Sequence, residues 1–191
     1  MNPLIGNSPT RTILGLLMLL SISAGAQKPE TIQAQAFGTT TMAGRNFGIT
    51  VRIESYSTPA DQKTLIDAFN KGGHDALVDA LAKMKSRGRV AITGGGVGYQ
   101  IGYIRNIPTA KGRTVRIITD RPINIGEAMS SSRSQDYDLT LLEIHLSDTN
   151  KDDSTGSLVI GGRFRVNKKT KQIEFESYHA PPWRLAGVMD R

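Results

Sequence analysis

Residues 47–66 read FGITVRIESYSTPADQKTLI, and the hydrophobic period changes once within this stretch. Apolar side chains occupy alternate positions over Phe47–Ile53, which is typical of a half-buried β-strand. The pattern then becomes helical, because Thr58 is a good N-cap, Pro59 suits the first helical position and Asp61 favours the N-terminal amides. We therefore predict a strand followed at once by a helix that begins at Pro59.

The predicted helix carries two apolar stripes on either side of Gly72-Gly73. The stripes consist of Leu65, Ile66 and Phe69, and of Leu77, Val78, Leu81 and Met84. Two successive glycines interrupt a helix, and Ser86-Arg87-Gly88 provides its end. The pattern predicts a helix pair or one kinked helix.

From Arg89 onward, short segments of alternating hydrophobicity are separated by turn-rich links, which predicts a β-meander. The links lie at 108–112, 148–156 and 167–171. Pro181-Pro182 interrupts the meander, and we expect a last edge strand over Trp183–Val188. The fold class is α+β: an antiparallel meander of about six to eight strands, as a curled sheet or partly closed barrel, with the helix pair inserted after the first strand.

The N-terminus has the three parts of a secretory signal peptide. These are Arg11, the ten-residue apolar run Ile13–Ile22, and Ala24-Gly25-Ala26 before Gln27. A membrane-spanning helix needs about 20 apolar residues, so we expect no transmembrane anchor. The prediction is a cleavable signal peptide over 1–26 and export to the periplasm or the extracellular space.

The rest of the chain predicts a flexible segment over 27–45, closing with a short strand near 37–42, and a single domain over 46–191. The segment 1–26 contains one Arg and no acidic residue, so its removal leaves 165 residues and lowers the net charge from +7 to +6. Lys and Arg are dispersed among acidic residues, which is typical of solvated strand faces. Because the chain is exported, we expect no nucleic-acid partner.

The chain has no cysteine, which excludes thiol catalysis, thiolate metal sites, disulfides and lipid attachment through sulfur. We expect no cofactor. A domain of this length buries enough apolar area to fold without disulfides.

Carboxylates, guanidinia and a phenol are concentrated between positions 120 and 138, where no strong period is present. We predict a polar ligand site there, built from Asp120, Arg121, Arg133, Asp136, Tyr137 and Asp138. The structural alternative is that the two arginines pair with Asp136 or Asp138 and hold a long loop against the sheet.

Oxygen-bearing side chains at alternate positions also indicate a weak calcium site at Asp148, Asn150 and Asp152. The EF-hand pattern fails here, because Asp153 stands at the glycine position and Val159 at the position of the bidentate glutamate. A polar hairpin tip is the alternative.

The chain resembles a group of uncharacterised exported bacterial proteins. The likeness lies in Ser57-Thr58-Pro59, in Gly72-Gly73 with the apolar stripe after it, in Thr119-Asp120-Arg121-Pro122-Ile123 and in Arg133-Ser134-x-Asp136-Tyr137. It extends from about Ser57 to Val188 and implies a bacterial origin and a single domain, but no activity.

Three functions are consistent with these patterns. The first is an exported, soluble, non-catalytic domain that binds a small ligand or an envelope partner. The second is a hydrolase with paired carboxylates drawn from Asp120, Asp136, Asp138 and Glu143. The third is an envelope protein whose basic face binds anionic lipid or polysaccharide.

The signal peptide makes a direct prediction. When the protein is expressed in a bacterium with its own leader, the mature chain should begin at Gln27, because cleavage follows Ala24-Gly25-Ala26. N-terminal sequencing and the intact mass of the exported protein check this. Recovery of the chain with residues 1–26 attached would contradict it.

Overall fold

Alternating apolar residues form ten β-strands in the residues that the computed structural model describes, which are 28–96, 98–123, 138–166, 173–177 and 181–191. The strands are β1 (Glu30–Phe37), β2 (Asn46–Ile53), β3 (Gly88–Ile92), β4 (Tyr99–Ile101), β5 (Tyr103–Thr109), β6 (Gly112–Thr119), β7 (Leu139–Ser147), β8 (Thr155–Val166), β9 (Ile173–Ser177) and β10 (Trp183–Asp190). One helix, α1 (Pro59–Ala82), follows β2, and single 3₁₀ turns cover Thr40–Met42 and Lys151–Asp153.

All strand pairs are antiparallel, and the order across the sheet is β4-β3-β2-β1-β10-β8-β7-β6-β5, with β9 paired to β8. The two strands at the ends of this order are consecutive in the chain, and only Gly102 separates them. The segment from Tyr99 to Thr109 thus pairs first with β3 and then with β6. The sheet therefore curls into a nearly closed barrel.

Side chains from almost every strand fill the inside of the barrel. Among the largest that are fully buried are Ile32, Ile49, Ile53, Ile101, Ile104, Ile117, Leu142, Ile144 and Leu158. Trp183 is 3% exposed and packs edge-to-face on Phe47, with ring centroids 4.9 Å apart. The interior is a hydrophobic core.

A second apolar cluster lies outside the barrel, between α1 and β5–β8. Leu65, Phe69, Leu77 and Leu81 of the helix pack there with Tyr103, Ile118 and Leu139 of the sheet. The helix therefore covers an apolar strip on the outer surface of the barrel. Without the helix, this strip would be exposed to water.

The helix begins as the sequence predicted, with Thr58 and Asp61 forming a reciprocal capping box. Burial alone would raise the pKa of Asp61, but hydrogen bonds from the Thr58 backbone N–H and hydroxyl and the charge of Arg87 lower it. Gly72 and Gly73 have non-helical backbone angles, and the φ of +69° at Gly73 lies in a region that glycine tolerates. Of the two alternatives for this segment, the structure shows the single kinked helix.

The α+β class with an antiparallel sheet is confirmed, but several details were predicted wrongly. The described residues contain ten strands instead of six to eight, and α1 follows the second strand. The segment assigned low order contains β1, which lies between β2 and β10, while a 3₁₀ turn occupies Thr40–Met42. Trp183 starts a strand between β1 and β8, so this strand does not form an edge.

The error at β1 has a physical reason. Ile32, Ala34 and Ala36 alternate inward and are at most 5% exposed, but two of the three are alanines. Alanine adds little to a hydrophobic pattern, and its small side chain suits the crowded centre of a barrel.

Gly102 gives a test of how closely Leu81 approaches the bend between β4 and β5. A Cβ at this position would lie 2.9 Å from the backbone oxygen of Leu81 and 3.0 Å from its Cδ1. We expect Gly102→Ala to lower the free energy of unfolding by about 1–3 kcal/mol, as overpacking does, measured by urea denaturation. Gly96→Ala is the control, because a Cβ there meets nothing within 4 Å. Equal midpoints for the two variants would contradict the proposed close contact.

Candidate functional site

The outer face of β5–β7 divides into an apolar row and a charged row. Tyr103, Ile118 and Leu141 stand opposite one another on the three strands and pack against the cluster under α1. Two residues away along each strand, on the same face, Arg105, Arg116 and Glu143 stand opposite one another. The apolar surface therefore changes to charged surface at the same register position on all three strands.

A groove of about 220 Å³ opens at this boundary, between α1 and the sheet. Helical residues from both sides of the kink and sheet residues from β5, β6 and β8 line it. The apolar lining is Leu65, Ile66, Phe69, Leu77, Leu81, Tyr103, Ile118 and Phe164, and the polar lining is Gln62, Arg105 and Arg116. Ile66 is 43% exposed, so the groove presents apolar surface to solvent.

The charged row contains more positive than negative side chains. Arg116 Nε donates to Glu143 Oε2 at 2.7 Å, and the same carboxylate lies 3.4 Å from His145 Nε2. Arg105 donates from Nη1 to the neutral Gln62 Oε1 at 2.7 Å. Arg105 and Arg116 occupy directly opposite positions on β5 and β6, an arrangement of like charges that destabilises a sheet. Two guanidinia thus stand beside the groove, and Glu143 pairs with the one that belongs to Arg116.

The structure describes three residues of the predicted polar ligand site, Asp120, Arg121 and Asp138. Asp120 accepts two hydrogen bonds of 3.1 Å from Arg121, and its hydrogen bonds and charge raise the pKa of Arg121. Asp138 accepts at 2.8 Å from His74 of α1. Arg133, Asp136 and Tyr137 lie outside the described residues. Ligand binding by this set therefore stays a prediction.

The contact between His74 and Asp138 joins the helix to the start of β7. The Phe164 backbone N–H donates to His74 Nδ1 at 3.2 Å, so Nδ1 is the acceptor nitrogen and Nε2–H donates to Asp138. His74 is only 9% exposed, and both of its ring nitrogens are engaged. These two hydrogen bonds connect α1 to the start of β7 and to β8. The sequence could not indicate the contact, because His74 and Asp138 are 64 positions apart.

The residues of the predicted calcium site form a turn between β7 and β8. Asn150 Oδ1 accepts from the Asp152 N–H at 3.1 Å, and Lys151–Asp153 form the 3₁₀ turn. Across the described part of the chain, no three His, Asp or Glu side chains gather as metal ligands. The polar hairpin tip accounts for these contacts, and calcium binding at Asp148, Asn150 and Asp152 stays a prediction.

Among the described residues, a polar cluster at one end of the barrel has the most strongly shifted pKa values. Arg113 of β6 donates to Glu30 of β1 and, at 2.7 Å, to Asp190 of β10, although three strands separate β6 from β1 in the sheet. It also donates at 2.7 Å to the Tyr56 oxygen, and that hydroxyl donates to Glu30 at 2.7 Å.

Burial, followed by the hydrogen bond to Glu30 and its negative charge, raises the pKa of Tyr56 well above the usual range. Burial alone would lower the pKa of Arg113, but Glu30 and Asp190 raise it overall. The phenol thus stays protonated and the guanidinium charged. This cluster bridges opposite walls of the barrel, and sequence patterns could not indicate it because its members come from four separate segments.

Comparison with known proteins adds no identification: no protein-family model matches the chain, and no significant match was found among curated proteins or solved structures. The likeness to uncharacterised exported bacterial proteins therefore stays a prediction. In the described ranges, none of the helices is long and apolar enough to span a membrane.

Substitution of Asp138 tests whether its contact with His74 is structural. We expect Asp138→Ala to lower the free energy of unfolding by about 1–3 kcal/mol, because it leaves a buried imidazole N–H without its partner. Asp75→Ala is the control, since Asp75 is exposed on the same helix and its loss should change stability by about 0.5 kcal/mol or less. Urea denaturation measures both, and equal midpoints would refute a structural role.

Proposed function

We propose that this chain is an exported, non-catalytic domain that binds a small apolar ligand in the groove between α1 and β5–β8. The observation that carries the proposal is the groove itself, about 220 Å³ with eight apolar side chains in its lining. Small-molecule sites are concave and mostly apolar, with a few polar groups at the edge that orient the ligand. Gln62 and two arginines supply such groups here.

The size of the groove favours a ligand of about nine non-hydrogen atoms, since an apolar cavity of about 150 Å³ holds benzene. This is below the roughly 300 Å³ at which sites for drug-sized molecules begin. The proposed ligand is therefore a short chain or a single substituted ring.

The positions of the carboxylates support binding over hydrolysis. Asp120 pairs with Arg121, Asp138 with His74, and Glu143 with Arg116. Each carboxylate among these three is held by a different side chain, and none of them lines the groove. Hydrolysis by paired carboxylates requires two such groups facing one substrate about 5–10 Å apart.

Export is part of the proposal and rests on the N-terminal pattern over residues 1–26. A small binding domain outside the cytoplasm would meet its ligand in the periplasm or the extracellular space.

Ile66 allows the site to be blocked without disturbing the core, because its side chain lines the groove and is 43% exposed. We expect 1-octanol to shift the NMR signals of methyl groups in the groove. We expect Ile66→Lys to weaken this binding about tenfold, because a hydrated ammonium group replaces apolar lining.

Met189→Lys is the matched control, since Met189 is an apolar residue of β10 that is 48% exposed and does not line the groove. It should bind 1-octanol as the unchanged protein does. The proposal fails if 1-octanol leaves the methyl signals of Leu65 and Ile118 unchanged, or if both lysine variants bind it equally well.

A further inference from the structure

The two arginines at the edge of the groove indicate the charge of the ligand. Arg105 and Arg116 stand directly opposite each other on β5 and β6, so their charges repel across the two strands. A sheet without a binding role gains stability when such a pair is replaced by an arginine and a neutral or acidic residue. The repulsion between the two arginines therefore lowers the stability of the sheet.

The local partners neutralise only part of this charge. Glu143 contacts Arg116 at 2.7 Å, whereas the contact of Arg105 within the described residues is with the uncharged Gln62. One carboxylate for two guanidinia leaves a net charge of about +1 at the groove edge, and the nearby His145 adds no negative charge. An anion placed here would meet both a charge and unused N–H donors of a planar guanidinium, which suits a carboxylate.

The arginine pair lies directly beside an apolar pair on the same two strands. Tyr103 and Ile118 form the neighbouring opposed pair on the same two strands, and both line the groove with Arg105 and Arg116. A ligand whose tail rests on the apolar pair thus has its head group at the arginines. A volume of about 220 Å³ accepts a single short tail and is too small for a two-chain lipid.

From this juxtaposition we infer that the ligand of the groove is a free, single-chain amphipathic carboxylate of medium length, with its carboxylate at Arg105 and Arg116 and its tail under α1. This inference rests on the proposed function, because it names the class of ligand for the same groove.

Three probes with the same apolar chain separate the two proposals: octanoate, 1-octanol and octylammonium, titrated into the full protein and followed by NMR and calorimetry. We expect octanoate to bind about fivefold more tightly than 1-octanol, and octylammonium more weakly than both. The preference for octanoate should shrink as salt is raised, because the arginines are solvent-accessible.

Arg105→Gln should weaken the binding of octanoate several times more than the binding of 1-octanol, and so remove most of the preference for octanoate. It should also leave the urea midpoint unchanged or raise it, because it relieves the repulsion with Arg116. A merely structural role of Arg105 would instead lower the midpoint. Arg52→Gln is the matched control, since Arg52 is an exposed strand arginine on β2 that does not line the groove.

The outcomes are distinguishable. If none of the three probes binds, the proposed function fails together with this inference. If all three bind alike, or if Arg105→Gln and Arg52→Gln have the same effect on octanoate, the groove binds apolar ligands and the carboxylate assignment is wrong. Binding to vesicles of anionic lipid that Arg105→Gln abolishes, with no binding of free octanoate, would overturn the free carboxylate in favour of a membrane surface.

Discussion

The continuous passage of the chain from β4 into β5 through Gly102 is the constraint on which the rest of the structure depends. It makes one segment pair with β3 at its start and with β6 after the bend, which joins the two ends of the sheet. Closure divides each strand into an inward face, which must be apolar, and an outward face. The backbone oxygen of Leu81 sits against Gly102, so the end of α1 is seated on the bend itself.

The outward face explains both the helix and the groove. An apolar strip on β5–β8 needs a cover, and α1 supplies it with Leu65, Phe69, Leu77 and Leu81. The helix is kinked at Gly72-Gly73, and side chains from both of its halves line the groove with the sheet beneath. The groove therefore lies at the edge of the apolar strip that α1 covers. At this edge, the cross-strand pairs change from apolar to charged residues.

Two kinds of polar cluster occur in this fold, and their balance of charge distinguishes them. At the barrel end, Arg113 is matched by Glu30 and Asp190, and in the helix contact each ring nitrogen of His74 has a partner. Such clusters hold elements together, because partly buried polar groups are stabilising only when they are paired. Beside the groove, Glu143 pairs with Arg116 while the opposed Arg105 donates to the neutral Gln62, and this excess of positive charge favours an anionic ligand.

Local patterns in the sequence determined the start of α1, its break at Gly72-Gly73, the antiparallel strands after Arg89 and the α+β class, because each depends on residues within a few positions of one another. They failed at β1, where alanines hide the alternation, and they could not indicate the groove or the partner of Asp138. Only the tertiary structure decided that β4 and β5 close the sheet, that β10 lies between β1 and β8, and that Arg105 faces Arg116. Strand order and register depend on contacts between distant segments, and the period of one segment carries no information about which strand lies beside it.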